Sequence, residues 1–516
     1  MSARICVASH HDSLSALLAD AEFARLAKAD GLLLELRLDQ YADLTPAGLA
    51  QALKSFGTQN LLVTYRMNEE GGRRAGVDDA TRLSFISAAA DAGVAYVDVE
   101  LATARRFEPA RQLLRRLEKS SGTQSVVSFH NFTEVPTLET LRLLRQSAED
   151  LGAGVVKFAV MPKVILDALP LLDLLNEGAG WTRPCLGLAM GEAGLWSRVL
   201  GPLFPHPAPF TFARAEGSLG TAPGQPTWRE LSELYRFAQL RPGTPVYGVI
   251  GAPIAHSRSP LMHNTALRER GLEGVYLPFK VEGDAAAFVR DFAPKVGVRG
   301  LSVTLPHKEA LFSICAEIDP LARQVGALNT LVLRKGGWYA TNTDASAAAA
   351  SLEAALGGPG ALKDRTVLIL GAGGAAKAVA FGVKALGANV LVANRTFEKA
   401  RKLADDVGGQ CVQYAALKGL QADAVVNTTP LGMSPNLDTC ALEKEEIPPG
   451  SLVFDTVYNP LRTKLLRLAE ERGSKTLSGL AMFVGQGAAQ FELFTGQSAP
   501  RESMERVVRA ALEAPR

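Results

Sequence analysis

Cysteine is scarce and dispersed: Cys6, Cys185, Cys315, Cys411 and Cys440 are the five in a chain of 516 residues. An odd, scattered set makes neither a disulfide framework nor a CxxC metal site, and it suits a reducing compartment. Histidine is nearly as sparse at seven, with no HxH or HExxH spacing, so no metal is expected. Charge of one sign is nowhere concentrated: 55 Lys and Arg against 53 Asp and Glu leave a formal +2. Without a long basic or acidic block, neither nucleic acid nor a membrane surface is expected as a partner. No apolar run reaches the roughly 18 residues of a membrane span. The opening MSARICVASHHDS runs into a strand-like ICVAS with neither a signal core nor a transit composition, so a cytoplasmic protein is expected. Nothing in the sequence speaks to oligomeric state.

What the chain does have is alternation. Its length predicts two to four domains at about 150 residues each. Strand-like runs fall at 5–9, 32–38, 61–66, 94–100, 125–130, 154–160, 184–190 and 209–214. Between most of them lie amphipathic stretches such as DSLSALLADAEFARLAKA, so the first half reads as β then α repeated eight times. A (β/α)8 barrel is the architecture this predicts. RPGTP, 241–245, reads as a linker. Beyond it, TVLILGAGGAAKAVAFGVKALGANVLVANRT (366–396) predicts strand, glycine turn, helix and strand, one nucleotide-binding βαβ unit.

VVKFAV, 155–160, places one lysine inside an apolar strand. Taken alone, Lys157 is either an edge residue whose head reaches water or an amine held where it can act as a nucleophile. A barrel site is built where strands end. Glu35 and Arg37 lie late in the second strand, Arg66 ends the third with Glu70 after it, Glu100 ends the fourth and His130 the fifth. Lys157 lies on the sixth, Arg198 follows the seventh, and Thr221 and Gln225 follow the eighth. A lysine among arginines and apolar walls can attack a carbonyl to form an imine, an electron sink for a carbanion at the next carbon. His130 is the natural acid/base, and the arginines can bind a carboxylate. The chemistry read from these residues is metal-free Schiff-base proton abstraction on a small anionic ketone.

ELRLD (35–39), TYRMNEEGG (64–72), SFH (128–130), KFAVMP (157–162), SR (197–198) and TAPGQPT (221–227) together resemble type I 3-dehydroquinate dehydratase, over nearly all of residues 1–235. The resemblance implies a domain at 1–240 in which Lys157 forms an imine with the C3 ketone of 3-dehydroquinate. It implies that His130 removes the C2 proton and helps expel the C1 hydroxyl as water. Arg198, Arg66 and Gln225 would hold the carboxylate and hydroxyls, Glu35 and Arg37 would shape the floor, and Glu70 and Thr221 would join the substrate site. Thr221 stands where serine is usual and keeps the hydroxyl.

In the second half, GAGGAA supplies Gly371, Gly373, Gly374, Ala375 and Ala376 at a strand-to-helix turn where a pyrophosphate can approach the backbone. The next strand ends in Asn394, Arg395 and Thr396 rather than in the acidic residue that suits NAD, so NADP is the expected cofactor. The surrounding segments resemble shikimate dehydrogenase from about 245 to 516. The resemblance rests on YGVIGAPIAHSRSPLMHN (247–264), VTLPHK (303–308), GALNT (326–330), TNTD (341–344), NTTPLGM (427–433), FDTVY (454–458) and MFVGQGAAQF (482–491). It implies a Lys308–Asp344 catalytic pair and substrate contacts from Ser257, Ser259, Thr304, Asn329, Tyr458 and Gln486. Thr428, Met433 and Gly479 would stand on the cofactor side. It also implies a substrate lobe at 245–345, completed by 485–516, and a Rossmann lobe at 346–484. Ser302 stands where asparagine is usual.

The two reactions are chemically consecutive, since dehydration of 3-dehydroquinate yields 3-dehydroshikimate, which NADPH reduces to shikimate. The expectation is therefore a bifunctional shikimate-pathway enzyme, lyase and oxidoreductase in one α/β chain. Two rivals are a second half that oxidises quinate with NAD, and a metabolite-binding regulator that keeps the folds without the chemistry.

Overall fold

The computed structural model describes residues 3–514, so residues 1, 2, 515 and 516, the outer limits of the expected domains, lie outside the described residues. The chain divides into two compact units. One is 1–246 with the short pieces 253–255 and 277–298; the other is 247–252, 256–276 and 299–516.

The first unit holds eight strands: β1 (Arg4–Ala8), β2 (Leu32–Arg37), β3 (Leu61–Thr64), β4 (Tyr96–Glu100), β5 (Gln124–Asn131), β6 (Val155–Val160), β7 (Cys185–Ala189) and β8 (Phe210–Ala213). They lie in the order β7-β6-β5-β4-β3-β2-β1-β8, every laddered pair parallel. The β7–β8 seam is joined by a single parallel bridge, Cys185 to Pro207, so the barrel is nearly closed. Helices between strands begin and end where local chemistry requires. Thr45 caps Pro46–Phe56 by accepting from the Gly48 N–H at 3.1 Å, and Gly57 at φ 76° ends that helix in a conformation only glycine adopts readily.

Strand residues alternate between two faces, and that alternation builds the site. Cys6, Leu33, Leu62, Tyr96, Val126, Val155, Phe210 and Phe212 share one buried apolar cluster inside the barrel. Burying each of the larger of these contributes roughly 1.5–3 kcal/mol. Two residues further along the same strands, the inward positions turn polar: Glu35, Thr64, Asp98, Ser128 and Lys157, all buried. An apolar floor thus carries a charged layer.

Two further sheets follow β8 in the chain. The first contains β9 (Val246–Gly251), β10 (Val275–Lys280), β11 (Val298–Val303), β12 (Cys315–Ile318), β13 (Thr330–Arg334) and β14 (Gly337–Thr341) in the order β10-β9-β11-β13-β14-β12. The second contains β15 (Thr366–Leu370), β16 (Asn389–Ala393), β17 (Gln410–Val412), β18 (Ala424–Asn427), β19 (Leu452–Asp455) and β20 (Lys475–Ser478). Its all-parallel order β17-β16-β15-β18-β19-β20 reverses at β15/β18, the switch point where doubly wound sheets bind ligands. The helix Gly479–Thr495 leaves β20 and returns to the first sheet, where Phe494 stacks on Tyr247 at 5.4 Å. Among the described residues no helix is long and apolar enough to cross a membrane.

Candidate active sites

The barrel cavity is lined by every substrate and catalytic residue expected of the first half: Glu35, Arg37, Arg66, Glu70, His130, Lys157, Arg198, Thr221 and Gln225. Lys157 is 5% exposed, so the edge-residue reading fails. Its Nζ donates to Asp98 Oδ2 at 3.2 Å and lies 4.3 Å from the centre of the Phe212 ring. Asp98 also accepts from Arg66 Nη2 at 2.8 Å and from the Ser128 hydroxyl at 2.6 Å. Burial opposes the Asp98 charge, but Arg66 and Lys157 outweigh it and hold the carboxyl far below the usual range. Asp98 was not among the expected residues. It sits two residues before Glu100 and across the ladder from Thr64, level in the register with Val155, and its carboxylate reaches forward to Lys157. The alternation along YVDVE carried that signal; attention to strand ends alone passed over it.

Glu100 itself turns away from the cavity. It accepts from the Met67 N–H at 2.8 Å and from Arg82 Nη1 at 2.9 Å, and approaches Arg66 at 3.4 Å, so it supports Arg66 from behind. Arg37 is locked by Asp39 through two bonds of 2.9 Å, and Glu35 accepts from the Thr64 hydroxyl at 2.8 Å.

His130 faces Glu70, whose Oε2 accepts from the backbone N–H of His130 at 3.1 Å and lies 2.8 Å from ring Nδ1, which donates to it when Glu70 is ionised. That leaves Nε2 as the basic nitrogen. Burial, with Arg66 and Lys157 nearby, holds the imidazole pKa well below 6.5, so the ring is a neutral base. Burial pushes Glu70 up to about 7 against the pull of Arg66.

Among the described residues lining this cavity, Arg198 is a cation with no carboxylate partner. It is 1% exposed, its Nε and Nη1 have no hydrogen-bond partner, and burial alone lowers its pKa to about 10, still a cation at neutral pH. A buried guanidinium with open donors calls for a bound anion. Thr221 and Gln225 are tied to each other: Gln225 Oε1 accepts from the Thr221 N–H at 2.8 Å, and Gln225 Nε2 donates to the Thr221 hydroxyl at 3.3 Å.

In the second unit, Lys308 Nζ meets Asp344 Oδ2 at 2.6 Å. Asp344 opens the helix Thr343–Leu356, capped by Asn342, whose Oδ1 accepts from the N–H groups of Asp344 and Ala345. Asn329 is buried at 2% and binds the same helix start, with Oδ1 accepting from the Thr343 N–H at 2.8 Å and Nδ2 donating to the Thr343 hydroxyl at 3.0 Å. Much of its side chain therefore positions the Asp344 turn. The Ser257 hydroxyl accepts from the N–H of Ser259, and Thr304 is half-buried directly after β11. Tyr458 stacks on Phe483 at 4.5 Å, and Gln486 donates to the Phe483 carbonyl at 3.0 Å. Ser302 joins a buried chain, accepting from Tyr276 and donating to Gln490, both at 2.7 Å.

The glycine turn fits a pyrophosphate. Gly371 has φ 117°, and a Cβ there would lie 2.5 Å from the Thr428 hydroxyl, so the turn admits no side chain. Above Gly373 and Gly374 a Cβ would meet nothing within 4 Å, which leaves open space over the start of the helix Gly374–Ala385. Gly373 offers that helix no side-chain cap, so its first N–H groups are available to an anion, with Ala375 and the fully buried Ala376 packing the first turn. Arg395 and Thr396 are exposed at the end of β16, and Asn394 donates to the Thr396 carbonyl at 2.9 Å. Thr428 gives its hydroxyl to the Leu370 carbonyl at 2.7 Å, Met433 is 46% exposed, and a Cβ on Gly479 would lie 2.3 Å from the Thr456 carbonyl. Among the described residues no cluster of three or more His, Cys, Asp or Glu is arranged to hold a metal ion.

Comparison with known proteins covers both halves. The type I 3-dehydroquinase family matches residues 5–242. Shikimate dehydrogenase families match 249–331 (substrate binding domain), 353–430 (shikimate / quinate 5-dehydrogenase) and 479–509 (C-terminal domain). The bifunctional 3-dehydroquinate dehydratase/shikimate dehydrogenase, chloroplastic, of Arabidopsis thaliana is 36% identical over 515 residues, covering 96% of this chain and 83% of that protein. Shikimate dehydrogenase (NADP(+)) of Methanosarcina acetivorans is 43% identical over 281 residues, 52% of this chain and 99% of the relative. A crystal structure of a shikimate dehydrogenase in complex with NADP+ superposes at TM-score 0.50 with 36% identity, over 52% of this chain and 96% of that one.

Proposed function

Because this chain belongs to the bifunctional 3-dehydroquinate dehydratase/shikimate dehydrogenase family, we propose that its barrel dehydrates 3-dehydroquinate and its second half reduces the product to shikimate with NADPH, Lys157 and the Lys308–Asp344 pair being the reacting centres. The carrying observation is that Lys157 shares one cavity with the partnerless cation of Arg198 and the His130–Glu70 pair.

In the barrel, Arg198 takes the substrate carboxylate and brings the ketone to Lys157. The amine adds to C3, and loss of water gives the iminium. His130 Nε2 removes the C2 proton, and Glu70 supports the imidazolium that results. The electron pair held by the imine then expels the C1 hydroxyl, which leaves as water with the proton from His130, and water hydrolyses the product iminium to release 3-dehydroshikimate and restore the Lys157 amine. Gln225 and Thr221 hold the hydroxyl side, and Glu35 and Arg37 the floor.

In the second half the chain's residues orient and protonate. NADPH supplies the hydride. Lys308 polarises the ketone and delivers the proton, Asp344 fixes its ammonium, and Ser257 and Ser259 take the carboxylate. Thr304, Asn329, Tyr458 and Gln486 position the ring. The open turn at Gly371–Ala376 would hold the pyrophosphate, with Arg395, Asn394 and Thr396 on the 2′-phosphate and Thr428, Met433 and Gly479 towards the nicotinamide. The division at 1–240, 245–345 with 485–516, and 346–484 belongs to the same reading. So does a cytoplasmic setting, which the unpaired state of all five cysteines supports. One coupled assay tests the whole: 3-dehydroquinate with NADPH should lose nicotinamide absorbance and yield shikimate. Absence of both products would overturn it.

A further inference from the structure

We propose that Asp98 is the counter-ion of the Lys157 iminium, holding the nitrogen's charge through the dehydration. The proposal rests on the imine reading above and adds a residue to it.

Nζ of Lys157 lies between two groups that favour positive charge, Asp98 Oδ2 at 3.2 Å and the face of Phe212 at 4.3 Å from the ring centre. Free lysine has three N–H donors, whereas the iminium keeps one. Asp98 is the acceptor that the described residues give this nitrogen. Its carboxylate cannot swing away. The side chain is fully buried, Oδ1 accepts from Ser128 at 2.6 Å, and Oδ2 accepts from Arg66 at 2.8 Å. Ser128 in turn accepts from Arg66 Nη1 at 2.7 Å, which closes a ring of three residues behind Lys157.

The reaction uses such an ion twice. When the C2–H bond breaks, its proton goes to His130, its electron pair forms C2=C3, and the C=N π pair moves onto nitrogen, leaving a neutral enamine. When the C1–O bond breaks, the nitrogen pair returns, hydroxide leaves with the His130 proton as water, and the positive nitrogen reappears. A fixed anion beside that nitrogen stabilises both charged states without reorganising. A role limited to pairing Arg66 accounts for less, because Arg66 also has Glu100 at 3.4 Å, whereas the contact to Nζ comes from Asp98.

The test compares Asp98→Asn and Asp98→Glu in the full chain. The readouts are kcat and KM for 3-dehydroquinate and the fraction of Lys157 trapped by borohydride with substrate present. Loss of the charge should lower kcat about 10² to 10³-fold with KM within about threefold, and should lower trapping, because the reducible iminium is the stabilised species. Asp98→Glu should recover at least about tenfold in kcat over Asp98→Asn. A wild-type trapping level with kcat within about fivefold in Asp98→Asn would overturn the proposal. So would a rise in KM that accounts for the whole loss. Wild-type protein that traps no adduct at Lys157 would instead overturn the imine reading itself. If Asp98→Asn does not fold, judged by its dehydrogenase activity and thermal unfolding, Ser128→Ala decides. Removing the hydroxyl that orients the carboxylate should cost about five- to tenfold in kcat at constant KM, and an unchanged kcat would overturn the proposal.

Discussion

The barrel site is a buried lattice of paired charges that leaves one cation, Arg198, open for substrate, whereas the dehydrogenase site rests on the part-exposed ion pair of Lys308 and Asp344. Around Lys157 the Asp98, Arg66 and Glu100 side chains are at most 6% exposed, while Lys308 and Asp344 are 20% and 13% exposed. The contrast follows the chemistry. Imine catalysis makes and discharges a cation on the protein itself, so the protein must carry the compensating charges in a dry cavity where they act strongly. In the second half the hydride belongs to the cofactor, and the protein mainly positions a ketone and supplies one proton. A part-exposed pair suffices and can exchange protons with water.

The largest effects should come from removing each reacting amine. Lys157→Met is expected to abolish dehydration, by at least about 10⁴-fold, while 3-dehydroshikimate reduction stays within about twofold of wild type. Lys308→Met is expected to do the reverse, with a smaller loss of about 10² to 10⁴-fold because only acid/base help is removed. The two assays are read separately on each variant. If either change silences both reactions, the contrast between a covalent and a positioning site fails.

The next effect is on pH dependence and belongs to the barrel alone. Glu70 is raised to about 7, so its proton is more tightly held in the folded chain than in the unfolded one. Its contribution to stability is therefore full below about 4.5 and is lost as pH rises through about 7. For catalysis the sign is opposite. The imidazolium formed on His130 needs the ionised Glu70, so dehydration should fall about tenfold as pH drops from about 8 to about 6. Glu70→Gln should lower the plateau and remove that limb. A limb that persists in Glu70→Gln would assign it to another group.

Much of this was legible in the sequence for one reason in the barrel and another beyond it. Eight β/α repeats and polar residues at strand ends located Arg37, Arg66, His130 and Arg198, a lone lysine inside an apolar strand located Lys157, and the structure brings all five into one cavity. Asp98 is mid-strand, where a charged residue shows only through the two-residue alternation that turns its side chain inward, within reach of Lys157. Glu100 has the right position in the chain but the wrong direction, since Arg82, from the helix Asp79–Asp91, draws it outward. No local pattern reveals a partner 18 residues away. In the second half, short motifs identified Lys308, Asp344 and the glycine turn, but not the polar chain from Tyr276 through Ser302 to Gln490, which is assembled from three distant segments.

A smaller effect tests the cofactor side. Arg395 is exposed, so its contact with a 2′-phosphate should contribute about 1.5–3 kcal/mol at most. Arg395→Ala is expected to raise KM for NADPH about ten- to a hundredfold and to leave NADH use nearly unchanged. Equal losses for both cofactors would make the residue structural. Dehydration should be unaffected, which keeps the two halves distinct.

The smallest effects come from one hydroxyl in each half where the chain departs from family usage. In the second half, Ser302 is 6% exposed and its Oγ stands 2.7 Å from both Tyr276 and Gln490. Ser302→Ala leaves two buried polar groups short of a partner and should cost about 1–3 kcal/mol, read as a lower unfolding midpoint. Ser302→Asn restores the usual residue, but the larger amide must enter space already filled, so about 1–3 kcal/mol of destabilisation is expected there too. In the barrel, Thr221 uses its hydroxyl only to accept from Gln225 at 3.3 Å, and its backbone N–H makes the stronger 2.8 Å contact. Thr221→Ser keeps both and should change KM for 3-dehydroquinate by less than about threefold with no change in unfolding, as a part-exposed loop position allows. If Thr221→Ser weakens substrate binding tenfold, the threonine methyl is shaping the cavity. The barrel would then depend on packing at its rim as well as on the charges beneath it.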